Sequence, residues 1–247
     1  MHASTTAQDK DCDRPPVRLS FMLKVFIAFA GLAALSAAIS FAGKWAGRSI
    51  AMAGHTDATR PYEIVIGNDV LVVPANMIRF DASRRDGVAA RLDLYLRWPQ
   101  MDGYSDAARD DFNHADGRRH ILFLSFEERM MSRDMSGRLE PIYRAMIGDA
   151  GRPGPAGLTA YAFPATAGYV DEVLVVADEG SAAPFVMRCL SGETARQSLA
   201  PCERDIHVGD GLTLTYRMPA GLAGSWREVE AAVREAAGRF LQTGDGN

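Results

Sequence analysis

The sequence predicts an α+β fold in which one N-terminal transmembrane helix precedes a largely antiparallel β-sheet domain with a C-terminal helix. Three observations predict it. A long uncharged run lies near the N-terminus, short β-rich runs separated by turn residues fill the chain from residue 61 onward, and an amphipathic helical pattern closes it. Strands never alternate with long helices, so we do not expect a doubly wound parallel sheet.

The composition is that of a folded protein. Apolar residues make up 47% and charged residues 23% of the 247 residues, and the formal net charge is −4. The chain beyond the apolar run is long enough for one domain, or two small ones, with a sizeable core. Because the balance is acidic and no basic stripe with interleaved aromatic residues occurs, we do not expect nucleic acid as a partner.

The apolar run extends from Val25 to Ala42 and contains no charged residue. A helix of this length spans roughly 27 Å, close to the hydrocarbon thickness of a bilayer. We therefore expect the bilayer to be contacted through Val25 to Ala42, within a transmembrane anchor at 19–45 that follows a disordered cytoplasmic tail at 1–18. A cleaved signal peptide, with cleavage before Gly43 or Gly54, is the alternative. The length of the run and of the charged region ahead of it favour the uncleaved anchor.

The charges around the run predict its orientation only weakly. Arg14, Arg18 and Lys24 precede it, whereas Lys44 and Arg48 follow it. By the positive-inside rule, this slight excess favours a cytoplasmic N-terminus. The sequence thus predicts a single-pass protein whose C-terminal domain lies outside the cytoplasm.

The three cysteines favour the same orientation. Cys12 precedes the apolar run, whereas Cys189 and Cys202 follow it, thirteen positions apart in a strand, polar loop, strand pattern. This spacing suits a disulfide bond between Cys189 and Cys202, which an oxidising compartment would maintain. The bond would stabilise the domain by roughly 3 kcal/mol on the chain-entropy model. A buried reduced pair and a reactive or metal-binding role are the alternatives.

The first predicted element after the anchor is a hairpin. Residues 46–60 read as a juxtamembrane linker, and the folded domain is expected at 61–243. Tyr62 to Ile66 and Val70 to Val73 are rich in β-formers, and Gly67-Asn68-Asp69 supplies turn residues that tolerate positive φ.

The run RLDLYLRWP is the clearest single strand. One face carries Leu92, Leu94, Leu96 and Trp98, and the other carries Arg91, Asp93, Tyr95 and Arg97. This alternation predicts that the first face lies on a core and the second in solvent. A polar loop with one helical turn should follow, and then a more fully buried strand, HILFLSFE.

The remaining elements are a short helix, several strands and a terminal helix. MSGRLEPIYRAMI predicts a short helix interrupted near Pro141, and GRPGPAG predicts an irregular surface loop because of its glycines and prolines. Further strands are expected at GLTAYAF, DEVLVVAD, PFVMRCL, CERDIHV and LTLTYRM, the last two joined by a turn at Gly209-Asp210-Gly211. Ser225 should begin the terminal helix, with Glu228 as its capping-box partner. Its apolar stripe comprises Trp226, Val229, Val233, Ala236 or Ala237, and Phe240.

Candidate chemistry is sparse. The densest polar cluster is Asp110, Asp111, His114, Asp116 and His120. Carboxylates and imidazoles suit Zn²⁺ or Mn²⁺, so an envelope hydrolase with a metal in the Asp110–His120 region is the alternative function. The spacing matches no known ligand frame, which favours a solvated acidic loop. No nucleophile elbow or phosphate-binding glycine loop occurs, so we assign no catalytic, metal-binding or cofactor-binding residue and expect a protein that is not an enzyme.

One segment combines methionine with arginine after a buried strand. Its residues are Arg129, Met130, Met131, Arg133, Met135 and Arg138. Methionine adapts to irregular surfaces and arginine is enriched at interfaces, so this set is a candidate partner-binding face. Ordinary core packing of a short helix is the favoured alternative.

The runs IVIGNDVLVVPANMIRF, RLDLYLRWPQMDGYS, FEERMMSRDMSGRLEPIY and CERDIHVGDGLTLTYR resemble those of uncharacterised membrane-anchored proteins of alphaproteobacteria. The resemblance covers most of residues 60–240. It implies a bacterial inner membrane and a periplasmic domain, and it transfers no catalytic residue. Together with the anchor, it predicts a periplasmic domain that binds another envelope protein, with tethering raising its local concentration.

Overall fold

The computed structural model describes residues 19–52, 54–113, 120–148, 150–177 and 183–242. These belong to two units, one that ends at Ala53 and one that begins at Gly54. The predicted tail at 1–18 lies outside the described residues.

The first unit is a helix, α1, which runs from Leu19 to Met52. Its stretch Ser20–Phe41 is long and apolar enough, by length and composition, to cross a membrane. The helix continues past the predicted end of the anchor at residue 45, because the following residues contain no proline and several good helix formers. The predicted linker at 46–60 is therefore divided between α1 and the start of the second unit.

The second unit opens with a small three-stranded sheet. The strands are β1 (Pro61–Ile66), β2 (Asp69–Pro74) and β3 (Gly87–Val88). β1 and β2 form the predicted antiparallel hairpin, and β3 pairs with β1 in parallel. Gly67 opens the turn with a φ of +59°, a conformation that glycine adopts without a steric penalty.

A second, eight-stranded sheet forms the body of this unit. Its strands are β4 (Arg91–Arg97), β5 (Ile121–Glu128), β6 (Arg152–Pro153), β7 (Thr159–Ala162), β8 (Glu172–Ala177), β9 (Phe185–Leu190), β10 (Cys202–Val208) and β11 (Leu212–Met218). Their spatial order is β4-β5-β11-β10-β9-β8-β7-β6, and all pairs are antiparallel. The predicted α+β class is confirmed.

Four further helices accompany the sheets in the described part of the second unit. They are α2 (Arg109–Phe112), α3 (Arg144–Met146, continuing a π-helical turn at Leu139–Tyr143), α4 (Gly192–Gln197) and α5 (Trp226–Phe240). The predicted stripe of α5 is buried in the main core. The predicted capping box is wrong: the Ser225 side chain makes no capping hydrogen bond, because a 3₁₀ segment from Ala220 leads directly into the helix.

Apolar side chains form two cores. The main core includes α5, the inner side of the β1–β2 hairpin and one face of the large sheet, with Leu92, Leu124 and Leu214 fully buried. The second, smaller core lies on the opposite face of the sheet at β8 and β9 and includes Leu174 and Val186. Because neighbouring residues of a strand point to opposite faces, β8 and β9 contribute to both cores.

Three local expectations are corrected by the structure. Tyr95, predicted to face solvent, is only 2% exposed, because residues distant in sequence cover it. Arg152–Pro153 in the predicted irregular loop pairs with β7. The polar loop between the two late cysteines contains α4, whose last turn includes Arg196, a favourable position for a cation.

The junction between β9 and β10 is sparsely paired for two strands in the interior of the large sheet. Only two residue pairs join these strands, Cys202 with Cys189 and Glu203 with Arg188, whereas seven pairs join β10 to β11 and six join β8 to β9. The Sγ atoms of the two cysteines lie 2.09 Å apart, at disulfide distance. The disulfide therefore joins the half-sheet β4-β5-β11-β10 to the half-sheet β9-β8-β7-β6.

A candidate partner-binding face on the large sheet

Three rows of side chains cross the face of β4, β5, β11 and β10 that points away from α5. The first row contains Arg91, Glu127, Thr213 and His207; the second contains Asp93, Ser125, Thr215 and Asp205; and the third contains Tyr95, Phe123, Arg217 and Glu203. These rows follow from the strand register, because residues two apart on one strand share a face. The intervening residues, Leu92, Leu124 and Leu214, are buried in the main core.

Both flanks of this face are covered by other parts of the chain. On the β8–β9 side, Met135, Leu139 and Tyr143 pack on Leu174 and Val186 to form the second core. The segment that follows β5 therefore packs on this face of the sheet and covers β8 and β9.

An aromatic cluster covers the third row at its β4 end. His55 Nδ1 lies 3.1 Å from the Tyr95 hydroxyl, and the His55 ring stacks on Tyr104 with centroids 4.8 Å apart. Phe112 meets Tyr95 edge to face at 4.9 Å. Burial in this cluster raises the pKa of Tyr95 above its ordinary value.

The middle of the face is not covered by any part of the chain that the structure describes, and it forms a groove of about 450 Å³. Ser125, Thr215 and Phe123 form its floor, while Arg79 borders it beside β4 and the segment 198–200 borders it before β10. The backbone N–H of Arg79 donates to the Asp93 carbonyl at 2.9 Å, which places Arg79 at the β4 edge.

Most charges of the groove pair with one another. Arg91 Nε donates to both carboxylate oxygens of Asp93 at 2.9 Å, its Nη1 to Glu127 at 2.7 Å and its Nη2 to the Ser125 hydroxyl at 2.9 Å. The two carboxylates, Asp93 first and then Glu127, raise the pKa of Arg91. On β10, Glu203 accepts a hydrogen bond from Arg188 at 3.0 Å.

Two arginines, Arg79 and Arg217, are neighbours of Phe123 on the groove floor. The Arg79 Cζ lies 4.8 Å from the Phe123 ring centroid and 5.0 Å from that of Phe80. Arg217 pairs directly with Phe123 in the β5–β11 register. Its Nε lies 3.5 Å from a Glu203 oxygen. The Arg79 guanidinium has no carboxylate partner among the described residues.

The six residues of the predicted methionine and arginine face are separated by the structure. Met135 is 1% exposed and belongs to the second core, so it cannot form part of an exposed face. Arg138 is held by an ion pair with Asp205 and donates to Met131 Sδ at 2.8 Å. Burial raises the pKa of Asp205, partly offset by the Arg138 charge.

The other four residues of that set lie on the surface. Met130 is 89% and Met131 50% exposed, and Arg129 and Arg133 are exposed as well. Arg129 donates to the Asp210 carbonyl at 2.9 Å, which ties the start of this loop to the β10–β11 turn. Met130 and Met131 thus form an exposed pair in the loop after β5, which is a floor strand of the groove.

The predicted acidic and histidine cluster is only partly described. Asp111 pairs with Arg97 at 3.2 Å, and the His120 carbonyl accepts a backbone hydrogen bond from Trp98 at 2.7 Å. His114 and Asp116 lie outside the described residues. Within the described stretches, no group of three or more His, Cys, Asp or Glu residues is placed to hold a metal ion.

A buried ion pair lies where β9 and β10 are no longer paired as strands, and it connects both strands to α5. Arg204, 3% exposed, donates to the Val186 carbonyl at 2.7 Å and pairs with Glu230 of α5 at 3.0 Å. The Tyr216 hydroxyl donates to the same carboxylate at 2.5 Å. Although burial alone would raise the pKa of Glu230, the Arg204 charge lowers it below its ordinary value. The polar groups of this cluster pair with one another, and these contacts hold α5 on the sheet.

Sequence reasoning did not identify Arg79, Phe123 or Arg217 as functional candidates. Arg79 falls between the predicted hairpin and the predicted strand RLDLYLRWP, outside both. The alternation in LTLTYRM does place Thr213, Thr215 and Arg217 on one polar face, and this was the available signal.

No protein-family model matches the chain, and no curated protein matches it. Two solved structures are similar. Smlt3025, an immunity protein of the Stenotrophomonas maltophilia type IV secretion system, has a TM-score of 0.50 and 16% identity, covering 76% of this chain and 96% of its own. The Neisseria meningitidis iron-regulated outer membrane lipoprotein FrpD has a TM-score of 0.45 and 10% identity, covering 75% of this chain and 94% of its own. At this identity, the first similarity shows a shared fold.

Proposed function

We propose that the protein is a non-enzymatic, membrane-anchored binding protein of the bacterial envelope. In this proposal, α1 holds the protein in the inner membrane with its N-terminus in the cytoplasm. The second unit lies in the periplasm and binds another envelope protein through the open face of the large sheet. The apolar stretch of α1 and the cysteine pair at disulfide distance support this location, because disulfides persist in oxidising compartments.

The observation that carries the binding proposal is the uncovered middle of the large sheet. The opposite side packs on α5, and both flanks on this side are covered, yet the rows of Ser125 and Phe123 remain accessible in a groove. A concave face lined by aromatic, hydroxyl and arginine side chains resembles the composition of protein interfaces, where arginine and aromatic residues are enriched. The exposed Met130 and Met131 beyond the end of β5 extend this surface with adaptable apolar contacts.

The solved structure with the shared fold suggests one class of partner to include in a test. That protein is an immunity protein of a secretion system. A protein of a secretion system is therefore tested as a partner beside other envelope proteins.

Photo-crosslinking in living cells tests the proposal. A photoreactive residue replaces Leu199, which is 39% exposed at the groove wall, in the full-length chain. The control position is Ala231, exposed on the solvent side of α5. We expect a discrete envelope-protein adduct from position 199 and none from position 231. No adduct from position 199, or the same adducts from both positions, contradicts the proposal.

A further inference from the structure

We propose that the groove recognises a carboxylate on an exposed acidic loop of its protein partner, held between the guanidinium groups of Arg79 and Arg217 above the ring of Phe123. This inference rests on the proposed function and specifies the chemistry of the partner.

The groove contains equal numbers of cationic and anionic side chains. Its lining contains three arginines and three carboxylates: Arg79, Arg91, Arg217, Asp93, Glu127 and Glu203. All three carboxylates are already occupied by arginines of this chain. A cationic group of a partner would therefore have to compete with existing ion pairs. An anionic group could bind Arg79 without breaking an ion pair.

Arg79 and Arg217 have more unused hydrogen-bond donors than Arg91. A guanidinium carries five N–H donors. Those of Arg79 make no hydrogen bond to a described side chain or backbone group, and its described contacts are with two aromatic rings. Arg217 contributes a single, long contact to Glu203 at 3.5 Å. Arg91, by contrast, has donors committed to three residues of the sheet.

Strand register and ring contact place Arg79 and Arg217 beside the same residue, Phe123. Phe123 and Arg217 face each other across the β5–β11 register, and Arg79 contacts the same Phe123 ring from the β4 side. Contact with the rings of Phe80 and Phe123 restricts the Arg79 side chain, so less conformational entropy is lost when it binds a carboxylate. Planar, preorganised guanidinium groups bind carboxylates in a bidentate manner.

The apolar surroundings favour an acidic side chain of a protein over a free anion. Leu199 at the groove wall and Phe80 beside Arg79 are 39% and 45% exposed, respectively. An acidic loop on a folded protein would add apolar contacts with these surfaces to the carboxylate contact, whereas a free anion would not. Burial of the ion pair by such a loop would also strengthen it relative to the same pair in solvent.

Binding of a defined peptide to the full-length chain in detergent tests this inference. The probe is a fluorescein-labelled peptide of alternating Glu and Gly, capped at both ends, and its counterpart contains Gln in place of Glu. Fluorescence anisotropy at low ionic strength should show about tenfold tighter binding of the Glu peptide, since each tenfold change needs only about 1.4 kcal/mol. Equal binding of the two peptides would overturn the inference.

Matched variants distinguish a site from general charge. Arg79→Gln and Arg217→Gln should each weaken binding of the Glu peptide about fivefold to tenfold. Arg85→Gln removes the same charge from an exposed position outside the groove and should change the affinity less than twofold. Because Arg79 is also exposed, its replacement is not expected to unfold the protein, and circular dichroism checks this. An equal loss in Arg79→Gln and Arg85→Gln would overturn the inference.

Combining these variants with crosslinking keeps the two proposals separable. If position 199 captures an envelope protein equally well in the wild-type and Arg79→Gln backgrounds, the binding proposal stands and the carboxylate inference fails. If the Glu peptide binds selectively but position 199 captures no protein in cells, the inference about groove chemistry stands and the proposed function fails.

Discussion

Removal of the link between Cys189 and Cys202 should cost more stability than any other change at the β9–β10 junction. Only two residue pairs join these strands, so the disulfide is a major connection between the half-sheets. The two cysteines are separated by 13 positions, and closing a loop of that size contributes about 3 kcal/mol on the chain-entropy model. With a urea dependence of about 2 kcal/mol per molar, the midpoint of unfolding should fall by about 1.5 M.

Urea unfolding of the full-length protein in detergent, followed by tryptophan fluorescence, measures this effect. Trp226 is a suitable reporter because it is 8% exposed and its ring centroid lies 4.3 Å from that of Phe185 on β9. The double variant Cys189→Ala, Cys202→Ala should match the wild-type protein in reductant. Cys12→Ala, which removes the remaining cysteine, should have the wild-type midpoint.

Hydrogen exchange locates the effect. Without the link, amides of β9, β8 and β7 should exchange faster than those of β5 and β11, because seven, six and seven residue pairs join the strands in the order β4-β5-β11-β10, whereas six, four and two join those in the order β9-β8-β7-β6. A change of midpoint below about 0.3 M, or equal acceleration in both half-sheets, would refute the reasoning that the disulfide holds the junction together.

Three further predictions concern stability. Asp69→Ala should destabilise the protein by about 1–3 kcal/mol in urea unfolding, because the buried Asp69 carboxylate accepts the backbone N–H groups of the β10–β11 turn at 3.0 and 2.9 Å. Because the pKa of Glu230 is lowered in the folded state, its charge stabilises the fold above the unfolded pKa near 4.5, and this stabilisation is lost as the pH falls through the folded pKa. Glu230→Gln should therefore reduce the fall of the urea midpoint at acidic pH. The same fall in the variant and the wild-type protein would contradict this. Gly103→Ala should destabilise the protein by about 1–3 kcal/mol, because the added Cβ would lie 2.5 Å from a backbone oxygen. Gly238→Ala in α5 has open space around the added Cβ and should stabilise the protein by up to about 1 kcal/mol. Equal thermal midpoints for these two variants would refute this.

Local patterns predicted the elements whose determinants are adjacent in sequence. The hairpin turns follow from Gly67-Asn68 and Gly209-Asp210, and the stripe of α5 follows from apolar spacing of three and four residues. The capping box failed although its residues are in place, because the preceding 3₁₀ segment fixes the backbone before Ser225. Tyr95 could not be predicted as buried, since His55, Tyr104 and Phe112 cover it from distant positions.

The candidate site depends on pairing between strands that are distant in sequence. Phe123 meets Arg217 only because β5 pairs with β11, and Arg79 meets Phe123 only because its segment bridges to β4. A strand pattern gives the face of a residue but not its cross-strand neighbour. The spacing of the late cysteines did suggest their pairing, because they end and begin consecutive strands.

The central claim is that a disulfide-closed domain lies outside the cytoplasm, held by α1. Labelling with a membrane-impermeant thiol reagent, in cells with a permeabilised outer membrane, tests it most directly. Cys189 and Cys202 should be unreactive at first and should be labelled by the same reagent after reduction. Labelling of both without reductant, and only after lysis of the inner membrane, would contradict the account.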